Sequence, residues 1–124
     1  MPHRSMKGLL GLLALLALIW GTIPAPADEP AYVAGLEDLP LMPGLSELSG
    51  SGFAFDTANG RIVEAYAVGE VEEAAVLEFY AETLPQLGWE QASPRGFRRE
   101  GERLSIEFVP GSKPVTVHFS LAPE

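Results

Sequence analysis

The chain has 124 residues, of which 17 are acidic and eight are Lys or Arg, and its formal net charge is −9 with both histidines neutral. A negative charge of this size argues against a nucleic-acid partner, because the phosphates would be repelled. The chain has no cysteine, which excludes disulfides, thiol chemistry, lipid attachment at a cysteine and cysteine-based metal sites.

The first 27 residues have the order of a secretory signal peptide. Arg4 and Lys7 form a basic start, an apolar run without charges covers residues 8–23, and an A-x-A cleavage motif ends at Ala27. The run is slightly shorter than the about 18 residues that a membrane-spanning helix needs. We therefore predict residues 1–27 as a cleaved signal peptide and the protein as exported and periplasmic. The alternative is an inner-membrane protein anchored through residues 8–23.

The remainder of the chain is long enough for one small domain. Residues 28–124 contain six of the eight basic residues and all 17 acidic residues, so their net charge is −11. Because three prolines and no sustained apolar period occur in residues 28–51, we predict an extended arm there, followed by a single domain over residues 52–124. The apolar segment Leu39–Leu45 within the arm is either a docking peptide or a cover for the core. We favour the cover, since an exposed run would form a large apolar patch.

The stretch Gly69–Trp89 carries the one continuous helical pattern. Its apolar residues recur on one face of a helix, with Phe79 beside them: Val76, Leu77, Tyr80, Leu84 and Leu87. Glu72 stands at the predicted N-cap, next to further acidic residues that favour the positive end of the helix dipole. Pro85 and Gly88 predict a kink or a tightened last turn near Leu84 and a left-handed end.

The other segments alternate as strands do. We predict strands over Phe53–Phe55, Arg61–Val68, Trp89–Ala92, Phe97–Glu100, Arg103–Val109 and Val115–Ala122. Asn59 and Gly60 supply the positive φ angles of the first turn. The small residues Val63, Ala65 and Ala67 are assigned to the helix side. The predicted fold class is α+β, a twisted antiparallel sheet in the order ββαββββ with one helix packed on one face.

No catalytic or metal-binding motif accompanies the titratable residues. His118, on the polar side of the last predicted strand, lacks the spacing of a known nucleophile or metal motif, and we interpret it as a surface histidine. Glu78 and Glu82 stand four apart on one helix face, but two carboxylates do not supply the six or more oxygens of a calcium site. The sequence thus predicts no catalytic residue, no metal site and no cofactor.

Four arginines cluster between residues 95 and 103, with two aromatic residues nearby. The candidate interaction patch consists of Arg95, Phe97, Arg98, Arg99, Arg103 and Trp89. Its guanidinium groups suit an anionic ligand such as a lipid headgroup or a peptide carboxylate. The competing interpretation is cross-strand pairing with Glu100, Glu102 and Glu107, which we favour. In that case, changing Arg98 and Arg99 to Ser leaves stability nearly unchanged.

Several short motifs together resemble a group of small exported bacterial proteins of uncharacterised function. The motifs are Met42-Pro43-Gly44-Leu45, Phe55-Asp56, Gly60-Arg61-Ile62, Phe79-Tyr80, Leu84-Pro85-Gln86-Leu87-Gly88-Trp89 and the turn Gly101-Glu102-Arg103-Leu104 after Phe97. This resemblance covers the chain from Leu39 onward. It implies a secreted single domain with one helix on a sheet, and it carries no catalytic or binding residues.

The leading functional hypothesis is an exported, non-enzymatic domain that binds a protein, peptide or envelope component through the sheet surface or a strand edge. One alternative is a small periplasmic hydrolase or ligand-binding enzyme with a site of scattered carboxylates and His118. A second alternative is a signal-anchored membrane protein with an external domain, in which the membrane is met only through an uncleaved leader. A pocket that holds several mutually close titratable groups would favour the enzyme.

Overall fold

The computed structural model describes residues 31–124. Its strands are β1 (Tyr32–Val33), β2 (Leu36–Pro40), β3 (Leu45–Glu47), β4 (Phe53–Thr57), β5 (Gly60–Gly69), β6 (Glu90–Ser93), β7 (Gly96–Arg99), β8 (Glu102–Phe108) and β9 (Val115–Pro123), and helix α1 (Glu73–Thr83) is followed by a 3₁₀ turn (Leu84–Leu87). The predicted signal peptide, its cleavage point and residues 28–30 of the arm lie outside the described residues. Within 31–124, no helix combines the length and apolarity that crossing a membrane requires.

Seven strands form one antiparallel sheet in the spatial order β3-β5-β9-β8-β7-β6, and β4 also pairs with β5. β3 and β4 occupy successive parts of the same side of β5, since β3 pairs with residues 67–69 and β4 with residues 60–64. β1 and β2 form a separate two-stranded hairpin. The predicted α+β class, with an antiparallel sheet and one packed helix, is confirmed. From β4 onward the order is ββαββββ, and three additional strands precede it.

Alternation along β5, β8 and β9 directs every second residue of these strands to the helix side of the sheet. Val63, Ala65 and Ala67 of β5 are buried, as the sequence predicts. The predicted inward residues of the last two strands also join the core: Leu104, Ile106, Val117, Phe119 and Leu121 are buried, while Phe108 and Val115 are partly buried against them. A period of two residues therefore places one complete side-chain layer against the helix.

Helix α1 begins and ends where its sequence indicates. Glu72 is the N-cap residue in an extended conformation, although its side chain makes no capping bond. Val76, Tyr80 and Leu84 are fully buried against the sheet. The predicted tightening near Leu84 is the 3₁₀ turn, and Gly88 adopts a left-handed conformation with φ of 93° that ends it.

Two details of the prediction are wrong. Leu87, assigned to the buried helix face, is 38% exposed, because the chain reverses at Gly88 and Trp89 makes the buried apolar contact at this end of the helix. Asn59 does not have a positive φ; Gly60 alone does in this turn, at 138°. The Thr57 side chain stabilises the turn instead, since its hydroxyl donates to the Gly60 carbonyl at 2.6 Å.

The segment predicted as an extended arm contributes to the core. Within 31–51 the chain forms β1, β2 and β3, and Leu36 and Leu39 are almost completely buried. The pattern escaped detection because these strands are short and bury only alternate or every third residue. The hydroxyl of Tyr80 donates to the Pro40 carbonyl at 2.8 Å and accepts from the Met42 amide at 3.2 Å. The hairpin and the helix thus cover the same face of the sheet together.

Leu84→Ala should destabilise the protein by about 2–5 kcal/mol, because a fully buried side chain leaves a cavity when it is truncated. The matched variant is Leu87→Ala, in the same 3₁₀ turn, which should cost about 0.5 kcal/mol or less because Leu87 is exposed. Urea denaturation of both variants measures the difference. Equal losses for the two leucines would contradict the described packing.

The pH dependence of stability should report the buried hydroxyl of Tyr80. Burial raises its pKa above the ordinary tyrosine value of about 10, and the bond from the Met42 amide only partly opposes this. Above pH 10 the unfolded chain therefore loses a proton that the folded chain keeps, so stability is complete below that pH and falls as the pH rises further. Tyr80→Phe should make this alkaline loss smaller in urea titrations between pH 8 and 11, and an unchanged slope would contradict it.

Candidate functional site

Within residues 31–124, no helix or hairpin packs on one face of the seven-stranded sheet, and we call this side the open face. Strand register assigns to it the side chains of Phe53, Phe55, Glu64, Tyr66, Arg98, Arg103, Ser105, Glu107, His118 and Ser120. None of these residues is fully buried. A face of this kind is where a partner can contact a rigid scaffold without unfolding it.

The centre of the open face holds a histidine–carboxylate pair. His118 Nε2 lies 2.9 Å from Glu64 Oε2, and the Tyr66 ring stacks on the imidazole with 4.4 Å between centroids and 5° between planes. The predicted surface position of His118 is confirmed, since about a quarter of its side chain is exposed. Sequence reasoning missed its partner. No local signal shows this partner, because only the pairing of β5 with β9 brings Glu64 and Tyr66 next to His118.

This pair does not by itself assemble a catalytic or metal site. No hydroxyl group in residues 31–124 hydrogen-bonds to His118, so a nucleophile activated by the imidazole is not in place. No group of three or more potential metal ligands occurs in the part of the chain that the structure describes. The geometry is that of an oriented polar contact on a strand surface.

The six residues of the candidate interaction patch do not share one surface. Phe97 and Trp89 are buried on the helix side, with 0% and 4% exposure. Arg99 lies over the Trp89 ring at 4.3 Å, reaches Asp38 at 2.7 Å and donates to the Leu87 carbonyl at 2.9 Å. Its side chain is only 17% exposed, so the expectation that Arg99 acts as an exposed residue is wrong. These three residues hold the helix end and the hairpin to the sheet.

Arg95, Arg98 and Arg103 line a depression of about 210 Å³ at the β7–β8 side of the open face. Arg95 pairs with Glu107 at 3.3 Å, and Arg98 with Glu124 at 3.4 Å. Arg103 makes no ion pair inside the range 31–124. Of the three glutamates expected as partners, Glu107 alone pairs with an arginine of the patch; Glu102 binds Arg61 through two bonds of 2.9 and 3.2 Å. Two of the three guanidinium groups at this depression are therefore paired with carboxylates.

The opposite side of the open face carries exposed aromatic rings, which sequence reasoning did not single out. Phe53 and Phe55 of β4 are 55% and 50% exposed, and their rings stack with centroids 5.6 Å apart. The signal was the F-A-F alternation beside a turn, which the prediction used for strand assignment alone. Because every residue of β4 is exposed, this strand presents both its rings and its backbone to solvent.

We call the side of β4 that faces away from β5 the β4 edge. β4 pairs with β5 in an unbroken register from Phe53 to Thr57, and no other segment of residues 31–124 donates a backbone hydrogen bond to it or accepts one from it. Gly52 lets the chain enter this position, because a Cβ there would overlap the Glu64 carbonyl. Alternate backbone N–H and C=O groups of β4 therefore point outward and find no partner in the described part of the chain.

The other edge of the sheet is β6, which has features that hinder the pairing of a further strand. β6 has four residues with an irregular register between Gln91 and Ser93, and it contains no large apolar side chain. Short length, irregularity and charge are the usual means by which proteins prevent unwanted strand pairing. β4 has a regular register and no proline, and Asp56 is its one charged residue. The two edges thus differ in the regularity of their register and in their exposed aromatic side chains.

Comparison of the chain with protein-family models, with curated proteins and with solved structures finds no match. Function is therefore inferred from the geometry of residues 31–124. The likeness to small exported bacterial proteins stays a prediction.

Arg99→Ser should lower the free energy of unfolding by about 1–3 kcal/mol, because it removes charged hydrogen bonds and a contact with Trp89 at a mostly buried position. Arg98→Ser is the matched control, and it should cost about 0–1 kcal/mol since Arg98 is 53% exposed. Chemical denaturation of the two variants tests whether Arg99 stabilises the fold while Arg98 does not. A larger loss for Arg98 would refute it.

Proposed function

We propose that the protein is an exported, non-enzymatic binding domain that accepts an extended segment of a protein, peptide or envelope component along the β4 edge. The observation that carries this proposal is the regular, unpartnered and aromatic β4 edge. An added strand would pair with the outward backbone groups, and its alternate side chains would contact Phe53 and Phe55. Binding of a partner strand would then explain why the β4 edge is exposed.

The energetics favour the edge over the depression lined by arginines. Backbone hydrogen bonds supply affinity in strand addition, and aromatic side chains bury about 150–250 Å² each when fully covered. Phe53 and Phe55 still expose about half of their surfaces, so a partner can cover a substantial apolar area. Arg95 and Arg98, by contrast, already have carboxylate partners. A ligand there would have to replace existing ion pairs.

The enzyme alternative has less support. It would use the pair formed by His118 and Glu64, but this pair lies on an open strand surface without a hydroxyl bonded to it. General acid–base catalysis also benefits from a site that excludes water, which a sheet surface does not supply. A binding role needs none of these features.

The test is partner capture with paired double variants. The purified protein is immobilised on a resin and exposed to a bacterial envelope extract, and bound proteins are compared between Phe53→Ser with Phe55→Ser and a control that changes the exposed Leu87 and Val109 to Ser. We expect the control to retain its partners and the β4 variant to lose them, with unchanged circular dichroism for both. Identical partner sets for the two variants would reject the β4 edge as the binding site.

A further inference from the structure

We infer that the segment bound at the β4 edge alternates apolar and basic residues, with the apolar side chains on the open face and a Lys or Arg next to Asp56. This inference rests on the proposed strand addition and adds the chemistry of the partner. It follows from the different surroundings of the two faces of β4. Because side chains of an added strand alternate between the same two faces, each face selects every second residue.

The open-face side of the β4 edge is apolar. Phe53 and Phe55 project there, and Phe55 lies directly opposite Ile62 of β5. Glu64, opposite Phe53, is occupied by its bond to His118 at 2.9 Å. The side chains that an added strand places on this face would therefore contact two half-exposed aromatic rings. Aliphatic or aromatic residues fit these positions best.

The other side of the β4 edge carries Asp56, a carboxylate that nothing in residues 31–124 pairs with. Asp56 lies opposite Arg61 in the register, but the Arg61 guanidinium binds Glu102 through two hydrogen bonds. Asp56 itself forms no ion pair or side-chain hydrogen bond with any residue that the structure describes. An exposed aspartate at a strand edge that opposes a new strand directly selects a cationic neighbour.

Three more carboxylates lie near Arg61, the residue opposite Asp56, and we call the group Glu37, Asp38 and Glu102 the acidic corner. Glu37 and Asp38 line the same cleft as Arg61 and Arg99. The pKa of Arg61 is raised, first by its hydrogen bond to Glu102 and further by the charges of Asp38 and Glu37, against the effect of desolvation. Three carboxylates against the guanidinium groups of Arg61 and Arg99 leave this corner negative.

The charge of the whole chain acts in the same direction. The net charge of −9 attracts a basic segment and repels a second copy of this chain. A basic partner strand would therefore meet both a favourable long-range field and a specific carboxylate at the edge. A second copy would bring another Asp56 and another negative surface to the same edge. Charge complementarity thus favours the basic partner over self-association.

The experiment adds the purified protein to three fluorescently labelled nonapeptides, in which valine alternates with lysine, with serine or with glutamate. The fluorescence anisotropy of each peptide measures its binding. We expect the lysine peptide to bind more tightly than the serine peptide, the glutamate peptide to bind most weakly, and added salt to weaken the lysine peptide alone. Amide NMR signals of residues 53–57 should shift on binding, which locates the peptide at the β4 edge.

Asp56→Asn isolates the specific carboxylate. It should weaken the lysine peptide by about two- to fivefold, as expected for one exposed ion pair, and leave the serine peptide unchanged. The matched control is Glu78→Gln, which removes one exposed carboxylate from helix α1 and alters the net charge equally. This control should leave the affinity of the lysine peptide close to that of the unmodified protein.

Three results would overturn the inference. Equal affinities for the lysine and serine peptides, with no effect of Asp56→Asn, would remove the basic partner while strand addition at β4 would stand. Peptide-induced shifts that spare residues 53–57, together with capture that ignores the phenylalanine variants, would remove both proposals. Sedimentation showing a dimer that Phe55→Ser dissociates would assign the β4 edge to a second copy of the chain.

Discussion

The architecture depends on the burial of one tyrosine between three parts of the chain. The Tyr80 ring meets Phe119 of the sheet edge-to-face at 5.4 Å, while its hydroxyl bonds to Pro40 and Met42 next to the hairpin. A buried hydroxyl must find hydrogen-bonding partners, and here the partners are the Pro40 carbonyl and the Met42 amide. Tyr80 therefore fixes both the helix and the hairpin to one face of the sheet.

The covered face determines what remains available to a partner. Because the helix and the hairpin both lie on the side of Val63 and Phe119, residues 31–124 leave the opposite face and the β4 edge accessible. The chain has no cysteine, so packing of this one layer must supply its stability. A partner that adds a strand to β4 extends the sheet without disturbing that packing, which makes the proposed binding mode compatible with the fold.

Much of the fold follows from local patterns, and the rest depends on long-range pairing. The helix face around Val76 and Leu84 and the alternation in β9 were predictable, because periodicity reports directly on burial. The short strands β1–β3 were not, since their pairing partners determine them more than their own residues do. The same reason hid the bond between Glu64 and His118, which lie 54 positions apart. The short spacing of the arginines in the sequence likewise suggested one patch. Strand alternation instead places Arg99 on the covered face and Arg98 and Arg103 on the open face.

In the proposed binding mode the outward backbone groups of β4 pair with a partner strand, and amide hydrogen exchange measures this directly. In the free protein the outward amides of residues 53–57 should exchange rapidly, because they lack hydrogen-bond partners within the described chain. Binding of the captured partner should slow their exchange strongly, while the amides of β6 at the other sheet edge should keep their rates. Protection of β6 without protection of β4 would contradict the account.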